Sequence, residues 1–326
     1  MPELPEVEVV RAGLAPAVRD ARIAGVEVLD TRALKRHKPP ASASTDLAVA
    51  AADFERRLVG ARLLEPVRRG KFLWMPLAGA GVSGASAGGV GLADASSVPR
   101  QALLAHLGMS GQMLLRAHEA ADDRHVRVRL WIEHPEHGEM RVDFADQRLF
   151  GSLAIDTLVP TDDGFAAGRG TTLAAIPSQA AHIARDPLDP AFDDLRFITS
   201  LRTRNTAVKR ALLDQGLISG VGNIYADESL WRARVHPETP GARLSARKAA
   251  ELLTQVREVF AQALIEGGTS FDEQYVNVNG EAGYFAHSLN AYGRGGEACP
   301  RCEGEIRRVA FMNRSSHFCP RCQRRR

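Results

Sequence analysis

The sequence predicts an α+β protein with a strand-rich first half, a helical second half and a small metal-stapled module at its end. Three observations carry this reading. Short runs of alternating apolar residues recur between residues 22 and 144, separated by turns. Helical spacing takes over after residue 195 and reaches its longest amphipathic stretch at 244–264. All four cysteines fall in one pattern, Cys299-x2-Cys302-x16-Cys319-x2-Cys322, the spacing of two knuckles around one tetrahedral Zn²⁺.

A chain of 326 residues is long enough for two or three domains and a full core. Its 44% hydrophobic and 25% charged residues are those of an ordinary globular protein. The net charge of +3 does not by itself mark a nucleic-acid binder, but its distribution does. From Cys299 onward, eight arginines stand against two acids (Glu303 and Glu305), a local charge of +6 and an electrostatic footprint for phosphate. No apolar run reaches spanning length and no signal-peptide pattern opens the chain, so a cytoplasmic protein without a membrane partner is expected.

Pro5 starts the first helix, with Val7, Val10 and Leu14 as its buried stripe and Glu6 and Glu8 complementing its dipole. Strands follow at 22–30, 62–67 and 71–77. Between the first two, Arg36, His37 and Lys38 lead into a Pro/Ala/Ser stretch that reads as a loop. Arg68-Arg69-Gly70-Lys71 is a basic turn running into a strand. Its lysine belongs on a solvated edge unless the strand aims it at the N-terminus. Residues 78–100 are rich in Gly, Ala and Ser and read as a flexible insertion. They contain a formal dinucleotide fingerprint at 79–84, which lacks the following helix and acidic residue that such a site needs. His106-Leu107-Gly108-Met109-Ser110-Gly111 joins two further strands and has the wrong glycine spacing for a nucleophile elbow. Alternation at 125–132 and 140–144 completes a half that holds one helix and then strands, which fits a sandwich or barrel.

The change to Thr, Pro, Asp and Gly near 157–170 marks a linker, placed at 158–190 between a first domain at 1–157 and a helical domain at 191–290. Helices are expected at 195–201 and 207–213. Gly220-Val221-Gly222-Asn223 opens another, whose first backbone N–H groups are suited to a phosphate. Helix, Gly-containing turn and helix is also a DNA-docking arrangement. The polar, Gly-rich stretch 267–285 is long for a loop inside a compact domain, a length that usually serves function. The last module, 291–326, is the four-cysteine finger. A structural Zn²⁺ contributes on the order of 10–16 kcal/mol in isolated fingers, so this hairpin needs no large core of its own. Arg314, between Asn313 and Ser315 at its tip, argues for a finger aimed at nucleic acid.

The first residues offer a chemistry beside their reading as a plain helix start. Removal of Met1, which a small second residue permits, makes Pro2 the N-terminus and its nitrogen a secondary amine. An α-amino group titrates near about pH 7.7–8.0, so a usable fraction is nucleophilic in the cell. Attack on a sugar carbon at the aldehyde level gives an iminium that acidifies the neighbouring C–H. Glu3, beside it, is suited to proton delivery if its pKa is raised.

Five motifs in this order form a specific combination. They are Pro2-Glu3-Leu4-Pro5-Glu6-Val7-Glu8, Arg68-Arg69-Gly70-Lys71, His106 to Gly111, Gly220-Val221-Gly222-Asn223-Ile224-Tyr225-Ala226-Asp227-Glu228, and the finger. The chain resembles the formamidopyrimidine-DNA glycosylase family, bacterial enzymes of 8-oxoguanine repair, from Pro2 to the finger with 78–100 as an insertion. The resemblance implies an N-terminal β-sandwich with flanking helices, then a helix–two-turns–helix module and a four-cysteine zinc finger, with damaged double-stranded DNA held between the halves by a monomer. It implies Pro2 as Schiff-base nucleophile, Glu3 as the acid at the sugar ring, Lys71 in base release and β-elimination, and Arg314 in δ-elimination and phosphate contact. Asn223 and Lys209 are then phosphate clamps, and His125, Arg148 and Arg204 further DNA contacts. Met109, Arg148 and Phe150 fill the hole left by an everted nucleotide, and 267–285 covers the base. Such enzymes evert their target at a cost of a few kcal/mol. Leu149 departs from the family pattern, in which a polar residue is common there. Two other readings remain. One is the related endonuclease VIII, which acts on oxidised pyrimidines and from which Leu4-Pro5 and the long 267–285 loop distinguish this chain. The other is a DNA-binding protein without catalysis.

Overall fold

The computed structural model describes residues 2–39, 46–79, 99–121, 123–269, 278 and 283–325. Helix α1 (Leu4–Val18) opens the chain and buries Val7, Val10, Leu14 and Val18, as the apolar spacing requires. A second helix, α2 (Leu47–Leu58), follows strand β1 (Arg22–Val28), so the described residues of the first half hold two α-helices where one was expected. The signal for α2 lies in the sequence. Asp46 is its N-cap, accepting a hydrogen bond from Ala48 N, and Ala50, Phe54 and Leu58 make its buried stripe.

The strands are β2 (Arg62–Leu63), β3 (Val67–Arg69), β4 (Phe72–Ala78), β5 (Gln101–His106), β6 (Gly111–Ala117), β7 (Val126–His134), β8 (Gly138–Asp146), β9 (Ser152–Pro160) and β10 (Ala175–Pro177). With β1 they pair in the order β10-β9-β5-β4-β2-β1-β7-β8-β6, with β3 added to β4. Among the described residues, short β2 bridges the two halves of that path. Leu73, Met75, Leu103 and Ile155 from one half share a core with Ile23, Val128, Leu130 and Phe144 from the other, closed by α1 and α2. The result is the β-sandwich with flanking helices.

Residues 158–190 are more structured than a linker. They contribute the end of β9, all of β10, and Ala167, Ile176, Ala180 and Ile183, which cover Phe72, Trp74 and Leu104 on the opposite face of β4 and β5. The cause is burial: an uncovered Trp74 and Phe72 would leave a large apolar patch in water.

The second half holds α3 (Asp194–Arg202), α4 (Val208–Leu213), α5 (Asn223–Arg232) and α6 (Ala246–Ile265). Leu4 of α1 belongs to their core rather than to the sandwich's, so the first turn of the chain is planted in the second domain. The finger hairpin, β11 (Arg307–Phe311) and β12 (Arg314–Phe318), leans on α5 through Trp231, whose indole N–H donates to Cys299 Sγ at 3.4 Å and whose ring lies under Arg301. Among the described residues no helix is long and apolar enough to cross a membrane. Of the insertion, Ala78 belongs to β4 and Arg100 accepts a hydrogen bond from Leu158 N; residues 80–98 lie outside the described residues, as do 270–277 and 279–282 of the stretch 267–285.

Candidate active site and nucleic-acid interface

Glu3 is 1% exposed, and its carboxylate lies on the N-terminus of α5. Gly222 N donates to Oε2 at 2.6 Å and Ile224 N to Oε1 at 3.0 Å. The amides expected to hold a phosphate are therefore taken by a side chain of the protein itself, because an internal carboxylate satisfies the same orphan donors. Burial pushes the Glu3 carboxyl up, with Lys71 pulling it down and Glu6 pushing it up again. Glu6, read from sequence as a helix-dipole acid, has a larger part. It accepts from Glu3 N at 2.9 Å, Tyr225 Oη at 2.5 Å, and Thr269 N and Oγ1, both at 2.8 Å. It ties the start of α1 to α5 and to the foot of the stretch after α6. Its spacing of three from Glu3 was the available clue.

Lys71 sits in the two-residue turn between β3 and β4, where Arg69 pairs with Phe72. Gly70 has φ +54°, and an added Cβ would lie 2.7 Å from Ser219 Cβ, so only glycine lets this turn press against the loop before α5. Lys71 Nζ donates to Val221 O at 3.0 Å, and burial lowers its pKa while Glu3 opposes and Arg314 reinforces that shift. The lysine thus leaves the solvated edge for the neighbourhood of Glu3. The basic run before it is not a DNA-facing patch. Arg68 is 1% exposed and bonds Glu8 Oε2 and Asp186 Oδ2, both at 2.8 Å, and Arg69 donates to Ala167 O at 2.6 Å. These bonds fix the hairpin to α1 and to the 158–190 segment. His106, at the end of β5, opens one of the five motifs but had no role assigned from sequence; burial and the cations Arg36, Lys71 and Lys35 push it down to about 4, leaving it neutral beside Phe72.

Arg314 opens β12 at the finger tip, exposed. The carbonyl of its neighbour Ser315 accepts from Asn223 Nδ2 at 3.0 Å and from Lys209 Nζ at 2.9 Å. Lys209 is fully buried and paired with Asp227 Oδ1 at 2.7 Å, and burial lowers its pKa. Asp227 also accepts from Ser316 Oγ and His317 N. Lys209 and Asn223 therefore meet the finger beside Arg314, and Lys209 does so from inside the protein.

A second group forms at the surface. Met109 is 40% exposed and Phe150 53%, in adjacent turns, with Arg148 exposed between them. Gly108 (φ +63°) brings the turns together, since any Cβ there would strike the backbone of Phe150. Asp146, unmarked in the sequence, organises both: Oδ1 accepts from Ser110 Oγ at 2.6 Å and Arg148 N at 3.2 Å, and Oδ2 from Gly151 N at 2.6 Å. Leu149 takes φ 56° and its carbonyl accepts from Lys35 Nζ at 2.7 Å. His125 lies alongside, its carbonyl accepting from Asp146 N. Arg204 stands apart, paired with Asp214 at 2.7 Å in a groove of about 450 Å³ between α4 and the finger tip.

The sulfurs of Cys299, Cys302, Cys319 and Cys322 lie within 4.8 Å of one another. A Zn–S distance of about 2.3 Å in a tetrahedron gives edges near about 3.8 Å, so the set fits one structural Zn²⁺.

Comparison with known proteins agrees with this architecture. Residues 1–153 match the family profile described as the formamidopyrimidine-DNA glycosylase N-terminal domain, 183–274 its H2TH domain, and 296–325 the zinc finger found in FPG and IleRS. The chain is 56% identical over 324 residues to the formamidopyrimidine-DNA glycosylase of Leifsonia xyli subsp. xyli (99% of this chain, 100% of that one). It is 50% identical to that of Streptomyces avermitilis (99% and 98%). Among solved structures, Lactococcus lactis Fpg bound to DNA with an abasic site matches with TM-score 0.75 and 25% identity, over 99% of this chain and 100% of that one. The same protein bound to DNA with an oxidised pyrimidine matches with TM-score 0.74 and 26% identity, over the same shares. With relatives this similar along its whole length, the chain belongs to the formamidopyrimidine-DNA glycosylase family.

Proposed function

We propose that this member of the family excises oxidised purines, such as 8-oxoguanine and formamidopyrimidines, from duplex DNA through a Schiff base on Pro2 and then cuts the strand by β,δ-elimination. One observation carries the reading: buried Lys71 in the β3–β4 turn feels the charges of both Glu3, at the N-cap of α1, and Arg314, on the finger. The Pro2 nitrogen attacks C1′ of the everted nucleotide, and the base leaves with the electrons of the glycosidic bond. Glu3, whose pKa burial raises, is suited to protonate the ring oxygen as the sugar opens and the iminium forms. The iminium draws electrons from C2′–H; loss of that proton expels the 3′ phosphate, and a second elimination expels the 5′ phosphate. Lys71, whose pKa is lowered, is suited to carry a proton in base release and β-elimination, and Arg314 to neutralise the departing phosphate. Asn223, Lys209, His125, Arg148 and Arg204 serve the DNA backbone, Lys209 by holding the finger tip. Met109, Arg148 and Phe150 replace part of the stacking lost on eversion. We infer a cytoplasmic monomer that cuts only after removal of Met1.

A borohydride trap tests this. With a duplex carrying 8-oxoguanine opposite cytosine, a covalent protein–DNA band is expected, slower in Lys71→Ala and absent in Pro2→Gly. Trapping only with an oxidised pyrimidine favours an endonuclease VIII-like specificity. No trapping with either duplex, in protein that starts at Pro2 and binds DNA, leaves a binding module.

A further inference from the structure

The finger hairpin turns through Met312 and Asn313, between the paired Phe311 and Arg314. Met312 has φ 53°, in the left-handed region where two-residue hairpin turns favour Gly, Asn or Asp, so methionine carries a backbone cost there. Its side chain does not recover that cost inside the protein, being 64% exposed. The neighbour Phe311 behaves differently: it is 9% exposed, with the Lys209 ammonium 5.2 Å from its ring centre, and anchors the turn from below. Met312 instead lines the groove of about 450 Å³ together with Arg204, Arg210 and Arg314. Asp214, paired with Arg204, is the acid of that lining. An exposed apolar side chain bordered by guanidinium groups complements a surface that alternates phosphate with apolar sugar, which is the backbone of DNA.

We propose that Met312 packs against the deoxyribose of the nucleotide whose phosphate Arg314 holds, and so sets the depth at which the finger enters the duplex. This rests on the DNA-binding part of the function above and not on its chemistry. The test is equilibrium binding of the full zinc-loaded chain to a duplex carrying a tetrahydrofuran abasic analogue, across a salt series. Met312→Ala and Met312→Gly are expected to weaken binding about fivefold. The slope of log Kd against log salt should not change, because no phosphate contact is lost, whereas Arg204→Ala should reduce it by about 1. Met312→Leu should bind like the wild type. Met312→Gly should keep its zinc and unfold at an equal or higher temperature, since glycine relaxes the turn. That pairing of a sound finger with weaker binding is something a purely structural methionine does not give. Unchanged binding in both truncations overturns the proposal, as does weakening accompanied by zinc loss, a lower Tm or a changed salt slope. A wild-type chain that binds the analogue but fails the borohydride trap removes the catalytic reading alone.

Discussion

The Glu3 end of the molecule and the turn around Arg148, which the proposed function assigns to one substrate, are built in opposite ways. Glu3 and Glu6 are buried, and their carboxylates accept backbone and side-chain hydrogen bonds from α5 and from Thr269, more than 200 residues away. Met109, Arg148 and Phe150 are exposed, on turns organised by the single carboxylate of Asp146 and the close approach of Gly108. On the proposed function, the difference follows the task. A proton donor needs low solvation to hold its proton at neutral pH. Groups that fill a space inside DNA must stay exposed until DNA arrives, so only their direction can be prepared in advance.

The largest break in this comparison is Glu3→Gln. The amide oxygen can still accept one of the two α5 hydrogen bonds, so the fold should survive with a lower Tm, while single-turnover excision falls about 10²–10⁴-fold. In the wild type a carboxyl held above its usual range loses its proton only as pH rises through that raised value, so excision should decline toward alkaline pH. That limb should vanish in the Gln variant; a variant with wild-type rates would remove Glu3 from the chemistry. Asp227→Ala strikes the buried side at its second anchor. It leaves Lys209 buried and unpaired, at a cost of about 3–5 kcal/mol, read as a lower Tm and faster zinc loss to a chelator. Asp146→Ala probes the exposed side. Each lost acceptor costs about 1–3 kcal/mol, so excision from duplex should slow about 10–100-fold, with cleavage of a pre-formed abasic site slowed less. Equal losses in the two assays would mean that the turns do not serve eversion. The smallest effect is expected from replacing 80–98 by a short Gly-Ser link. Loop length enters closure entropy only logarithmically, so excision should stay within about twofold.

Much of the molecule was legible from sequence because it depends on local rules. The stripe of α1, the span of α6 and the four cysteines each follow from periodicity or spacing within one segment. Helix α2 was equally legible and was missed, because the Pro/Ala/Ser run before Asp46 drew the loop reading past its N-cap. The linker reading failed for another reason. Composition shows Thr, Pro and Gly near 157–170, but the partner that makes 158–190 a packed layer, the outer face of Trp74 and Phe72, lies some 90 residues away.

By itself the sequence determined the order of the matched domains and the four-cysteine cluster, and it marked Pro2, Glu3 and Lys71 as candidates for the chemistry. Only the tertiary structure decided that Arg68 is an internal strut while Lys71, three residues on, is buried against the loop before α5 in the neighbourhood of Glu3, and that the α5 amides hold Glu3 rather than standing open. The physical reason is that a charge near another element has two outcomes. It is solvated, or it is buried with a partner, and which of the two is favoured depends on a partner that the local sequence does not contain.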